Sequence, residues 1–163
     1  MTKLKFGAWI PTYAWSDVKS DSKNVKRIRA SIEKCEDHGI DVWVIDHLLT
    51  APGLYGNAWL EPLNALAFAA ALTRKVKIAT GILVLPVRHP VVLAKEISTL
   101  CHLSDHRYIF GVGPGWYARE YEVTGSRIDD LRKSGLQYLV LGPVTDDPKQ
   151  IDLMANNVVK HFS

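Results

Sequence analysis

Asp46 and His47 stand side by side at the end of an apolar run, DVWVID. A carboxylate beside an imidazole can serve as general acid and base, or as a pair of hydrogen-bonding groups for a cofactor ring. The same pair can also simply close a strand, with the imidazole capping its end and Asp46 bonding loop backbone. Three more polar clusters come after apolar runs in the same way. Gly81-Ile82 is followed by Pro86, Arg88 and His89; Gly111, Gly113 and Gly115 lead to Trp116; Gly142 leads to Thr145. A glycine within a strand marks a bulge or a close approach of backbone to something else, ligand or protein. Arg88 can clamp a phosphate or a carboxylate, or lie as a surface charge beside the next helix. GVGPGW has the spacing GxGxG without a long helix behind it, so it is not a dinucleotide fingerprint. It allows a planar ligand to approach the backbone, or a tight turn.

The elements that must position these groups alternate between strand and helix. Lys5–Ile10 is the first predicted strand, followed by a polar loop from Ser16 to Asn24. Val25, Ile28, Ile32 and Cys35 recur at helical spacing, and Gly39 stops that helix. Asp41–Asp46 is the second strand and Thr50–Asn57, with Pro and two Gly, a loop. A helix is predicted over Trp59–Thr73 with Pro62 in its first turn. Val76–Leu85 is a third strand with a kinked end, Pro90–Leu103 a helix, and Arg107–Val112 a fourth strand. Trp116–Thr124 reads as a short helix or turn. Beyond it come a helix at Ile128–Lys133, a fifth strand at Leu136–Leu141, and a last helix with Ile151, Met154, Val158 and Phe162 on one face. Strand–helix alternation of this kind specifies a parallel sheet with helical crossovers. In a (β/α) barrel every polar cluster named above faces one rim, the C-terminal one where such proteins work.

Composition excludes several classes. The chain has 163 residues, 47% hydrophobic and 23% charged, with a net charge of +3. The basic residues are scattered, which argues against nucleic acid as a partner. Cys35 and Cys101 form no CxxC, and read as free thiols of a reducing cytoplasm. The N-terminus shows no leader pattern, and no apolar run approaches the roughly 20 residues of a membrane span. His38, His102, His106 and His161 lack partners at ligand spacing, so no metal site is expected. Lys95 and Glu96 read as a solvated helix face. No nucleophile-elbow or Ser-His-Asp pattern occurs.

Several stretches together carry a resemblance: VWVIDHLL, WLEPLNALAFAAALT, ATGILVLPVRHPVVLAKEISTL, and RYIFGVGPGW followed by Glu120. Through them the chain resembles the luciferase-like monooxygenases, a family that includes bacterial luciferase and the deazaflavin-coenzyme-dependent oxidoreductases. The resemblance implies an α/β fold, a TIM (β/α) barrel that binds reduced flavin (FMN) or its deaza analogue at the C-terminal rim. It implies a cis peptide at Gly81–Ile82 behind the isoalloxazine, with Asp46 and His47 near the ring. His47 would be the catalytic group. Asp46, Gly81, Ile82, Arg88, Gly111, Gly113, Gly115 and Trp116 would bind the cofactor, which carries the chemistry while the protein orients it.

Two departures stand out. Where the family commonly has Ser-Gly-Gly-Arg, this chain has Ser104-Asp105-His106-Arg107. Where sugar-phosphate dehydrogenases of the deazaflavin group carry an acidic residue, this chain has Pro114, which argues against that chemistry. A third concerns length. Residues 1–125 resemble the first four βα units and 126–163 the last helix, strand and helix; a full barrel takes about 250 residues. The expectation is therefore a single partial-barrel domain over residues 1–163, with about five parallel βα units. Exposed sheet edges imply a homo-oligomer, and a missing phosphate grip implies weak cofactor binding. The expected function is a flavin- or deazaflavin-dependent oxidoreductase acting on a small-molecule substrate, or a shortened derivative of one. The alternatives are a non-catalytic flavin-binding protein and an oligomerising module without a ligand.

Overall fold

The computed structural model describes residues 4–14, 21–50 and 58–126. Four strands, β1 (Gly7–Trp9), β3 (Asp41–Val44), β5 (Ile78–Thr80) and β7 (Tyr108–Ile109), form one parallel sheet in that order. The register aligns Ala8, Val42, Ile78 and Tyr108 in one row and Trp9, Trp43, Ala79 and Ile109 in the next. Between successive strands run α1 (Asp21–His38), α2 (Pro62–Leu72) and α3 (Pro90–Leu103). This is the parallel α/β order the sequence predicts, and the described chain is a partial (β/α) barrel.

The side chains of a strand alternate between faces, so each strand divides its residues between two environments. Val42, Val44 and Ile78 are fully buried among Ile28, Ile32 and Cys35 of α1, Leu63, Leu66 and Ala69 of α2, and Leu93 and Leu100 of α3. The opposite face carries Trp9, Trp43 and Ile109, of which Trp9 remains 64% exposed. Helices thus cover one face of the sheet and leave the other, the inner face of a barrel, open among the described residues.

Several boundaries differ from the sequence reading, each for a local reason. Asp21–Asn24 belong to α1 rather than to a loop, and Val25 is half exposed. An 18-residue helix is about 27 Å long, and it outruns strands of two to four residues. Trp59 and Leu60 are not helical. Pro62 takes the first position of α2, Glu61 lies at φ −59°, ψ 123° outside the helical region, and its Oε2 accepts the Asn64 N–H at 2.7 Å. The residue before a proline is forced out of helical geometry, so α2 cannot extend back to Trp59. Ala58–Trp59 forms β4 instead and pairs antiparallel with β2 (Tyr13–Ala14).

The third and fourth predicted strands each split. β5 ends at Thr80, the Gly81–Ile82 peptide is cis, and β6 (Leu83–Val84) leaves the main sheet to pair with β8 (Val112–Gly113). Leu85 falls in a 3-10 turn, Leu85–Val87, not in the strand. The short helix foreseen near Trp116 is α4 (Ala118–Thr124). The expectations for Ile128–Lys133, Leu136–Leu141, Gly142–Thr145 and the last helix lie outside the described residues. No helix among the described residues is long and apolar enough to cross a membrane.

Candidate functional site

β3, β5 and β7 are parallel, so the residues just past their C-terminal ends gather at one end of the sheet. Asp46 and His47 come after β3, Gly81 and Ile82 after β5, and Gly111 after β7. The small β6–β8 ladder continues the rim, and Arg88 stands just after the 3-10 turn.

Asp46 is buried, at 3% exposure. Its Oδ2 accepts the Val84 N–H at 2.8 Å and the Arg88 Nη2 at 2.9 Å. Arg88 Nη1 donates to Glu61 Oε1 at 2.8 Å. One guanidinium therefore ties the end of β3 to the start of α2, while Asp46 holds β6. Burial pushes the Asp46 carboxyl upward, against Arg88 and the Val84 amide, which pull the other way. Burial also weakens the Arg88 charge, but Asp46 and Glu61 outweigh it and hold the guanidinium firmly protonated. A buried carboxylate on an arginine fork is a structural clamp, and without Asp46 the guanidinium would keep only Glu61 as a charged partner.

His47 is set differently. Its ring packs against Trp59, at 5.1 Å between centroids, and against Trp116, edge-on at 5.9 Å. Its Nδ1 lies 3.3 Å from Glu120 Oε1. Glu120 comes from α4, is fully buried, and through the same Oε1 accepts the Leu48 and Leu49 N–H groups at 2.8 and 3.1 Å. Burial alone would raise the Glu120 carboxyl. The His47 hydrogen bond and the Leu49 and Leu48 amides overcome it and bring the group below the ordinary carboxylate value. These donors favour the carboxylate form of Glu120, an acceptor to which His47 Nδ1 can donate when it carries the ring proton. The neighbouring Tyr121 hydroxyl donates to the Pro114 carbonyl. Burial and the Glu120 charge push its phenol up to about 12.

The glycines prove to serve the protein's own packing. A Cβ on Gly111 would stand 2.2 Å from the Thr80 carbonyl oxygen, one on Gly113 3.1 Å from Ile82 Cδ1, and one on Gly81 2.7 Å from Trp43 Cε3. Gly115 has φ +75°, and a Cβ there would meet Val84 at 2.7 Å. A side chain at any of these four positions would collide with these neighbours, so glycine is required there by the packing itself. The outward-facing surface is apolar: Ile82, Val112, Ile109 and Trp116 are each between 36 and 45% exposed.

Residues 4–137 match the profile of the family described as luciferase-like monooxygenase. The chain belongs to that family. It is 32% identical over 130 residues to the alkanal monooxygenase alpha chain of Photorhabdus laumondii, an alignment covering 79% of this chain and 35% of that one. The monooxygenase RslO1 of Streptomyces bottropensis superposes with a TM-score of 0.67 at 30% identity, over 80% of this chain and 39% of the other. The oxygenating constituent of 3,6-diketocamphane monooxygenase from Pseudomonas putida, solved with FMN, shows the same fold, with a TM-score of 0.62 at 23% identity over 78% and 34%. The chain therefore spans about a third of the length of the curated relatives it matches.

Of the residues expected at the site, the structure brings Asp46, His47, Gly81, Ile82, Gly111, Gly113, Gly115 and Trp116 to one end of this luciferase-like fold. It places Arg88 there too, with both terminal nitrogens already engaged. Glu120, Trp59 and Glu61 were not foreseen as site residues. Glu120 lies 73 positions from His47, and no local spacing signals a contact of that kind. Among the described residues no group of three or more His, Cys, Asp or Glu is placed to hold a metal.

Proposed function

We propose that this chain carries the ring-binding part of a flavin or deazaflavin site, acting on a small-molecule substrate with His47 as the group that moves a proton. The observation that carries the reading is His47 itself. It stands at the C-terminal end of a parallel sheet, flanked by two indoles, with one nitrogen fixed by a buried carboxylate. A general base needs one nitrogen held and the other available. Among the described residues Nε2 makes no hydrogen bond, so it is the available one.

A planar ring suits these surroundings. Ile82, Val112 and Ile109 present apolar surface beside the Gly81–Ile82 backbone, and Trp116 and Trp59 limit water at the imidazole. A reduced flavin or its deaza analogue, when bound there, would supply the electrons. FMN in the complex of the Pseudomonas putida neighbour is consistent with such a cofactor. His47 Nε2 would take or deliver the proton that accompanies electron transfer at the substrate.

The phosphate is less well served. Arg88, the rim cation expected to hold it, is committed to Asp46 and Glu61. That favours a second reading, a protein that binds the ring weakly without turnover. Either way, residues 1–163 would make one partial-barrel domain, and copies of it would associate. β1 and β7 are unpaired on their outer sides among the described residues, and Phe6, Trp9 and Phe110 are exposed beside them.

The test uses reduced FMN and dioxygen with aldehydes, the reduced deazaflavin coenzyme with aldehydes and ketones, and the oxidised deazaflavin coenzyme with alcohols, tracking the cofactor's redox state by absorbance and product by mass spectrometry. Turnover abolished by His47→Ala supports the enzyme. Cofactor binding without turnover supports the second reading, and neither binding nor turnover leaves only an oligomerising module.

A further inference from the structure

We infer that Glu120 is a positioning residue for His47, fixing the imidazole as the tautomer protonated at Nδ1 and so leaving Nε2 as the basic nitrogen facing the reaction. The inference rests on the reading of His47 as the proton carrier, and specifies how the fold prepares it.

Three features combine. Glu120 Oε1 gathers three donors, His47 Nδ1 and the amides of Leu48 and Leu49, so the carboxylate fixes both the ring and the backbone just after it. Glu120 is fully buried and Oε2 has no partner, so among the described residues these three donors are the ones that hold the carboxylate. An ionised carboxylate has no proton to give, so an imidazole nitrogen bonded to it must donate; at 3.3 Å the contact is longer than the usual charge-assisted bond, but its charge still favours the proton on the facing nitrogen. A neutral imidazole holding its proton at Nδ1 has its lone pair at Nε2. The tautomer is therefore imposed by α4, which comes after the Gly111–Trp116 turn, on a residue just past β3. Trp59 and Trp116 restrict the ring's remaining freedom. A carboxylate serving only as a loop anchor would explain the Leu48 and Leu49 bonds. It would make no demand on which nitrogen of His47 carries the proton.

The experiment is nitrogen-15 NMR of the full chain labelled at histidine, recorded at pH 8.5, about two units above the ordinary histidine value. The His47 signals are assigned by their disappearance in His47→Gln. The expected result is protonated Nδ1 and unprotonated Nε2, with roughly tenfold or greater excess of that tautomer, as a charge-assisted bond sets. Glu120→Gln keeps the shape and an oxygen acceptor for the amides but removes the charge. The tautomer excess should fall several-fold while near-ultraviolet circular dichroism stays unchanged. Wild-type His47 protonated at Nε2, or an unchanged excess in a folded Glu120→Gln, overturns the inference. If Glu120→Gln does not fold, the wild-type tautomer decides alone. The measurement needs no cofactor. An Nδ1-protonated His47 in a chain that neither binds nor turns over flavin would remove the proposed function and leave this inference standing, and the reverse result would remove this inference alone.

Discussion

Substituting Gly111 by alanine places a methyl group against backbone rather than against a side chain that can move aside. The new Cβ would stand 2.2 Å from the Thr80 carbonyl oxygen, where at least 3.0 Å is needed. The strand ends must separate, and three hydrogen bonds lie in that gap. Thr80 Oγ1 donates to the Gly111 carbonyl at 2.8 Å and accepts its N–H at 3.1 Å, and Leu83 N–H donates to the same carbonyl at 2.8 Å. Overpacking costs about 1–3 kcal/mol, and each weakened bond costs about 0.5–1.5 kcal/mol. Gly111→Ala should therefore destabilise the chain by about 2.5–7.5 kcal/mol. Gly39→Ala is the control. Gly39 has φ +68° with nothing within 4 Å of its would-be Cβ, so it costs only the left-handed conformation, about 1–2 kcal/mol. Urea unfolding monitored by tryptophan fluorescence gives both values from the midpoint at constant slope. If Gly111→Ala costs less than about 0.5 kcal/mol, or less than Gly39→Ala, the two strand ends are not as close as described and the rim geometry fails with them.

Asp105 and His106 both sit at left-handed φ, 53° and 56°, so replacing the pair with glycine should stabilise the chain by about 0.5–1 kcal/mol, the relief being partly offset by unfolded-state entropy; thermal unfolding measures it. The Tyr121 phenol is raised to about 12 when folded, so its contribution is intact below about pH 10, the ordinary tyrosine value, and is lost as pH rises from there through the folded value. Alkaline unfolding compared between wild type and Tyr121→Phe checks this, the variant having the flatter profile above pH 10. Static light scattering at micromolar concentration should give a mass above that of a single chain, 18.2 kDa, and a clean monomer would remove the proposed association.

Much of the framework is legible in the sequence because proline and glycine mark its ends. α3 runs from Pro90 to Leu103 as the sequence predicts, since a proline at the first helical position costs no hydrogen bond. At Pro62 the same signal competes with an apolar run starting at Trp59, and α2 starts later for the reason a proline dictates. β2 and β4, two residues each, are too short to show any period. The kink after β5 is visible as Gly81, but where the chain goes next depends on Val112 and Gly113, some thirty positions on. The turn at Asp105-His106 shows why glycines suit that place, since both residues there are left-handed. The partners of the site are the least legible. Asp46 and His47 stand out as a pair, yet each turns to a different distant residue, Arg88 and Glu120, and one serves the framework while the other suits the chemistry.

The central claim is that the rim holds a flavin ring without a strong grip on its phosphate. Fluorescence titration with FMN and with phosphate-free riboflavin tests it directly. Weak binding is predicted, with dissociation constants in the micromolar range or above, and FMN favoured over riboflavin by less than about tenfold, the ratio that about 1.4 kcal/mol would give. Nanomolar FMN binding with riboflavin orders of magnitude weaker would contradict the claim by revealing a strong phosphate site, and no binding of either would show that the ring site is not there.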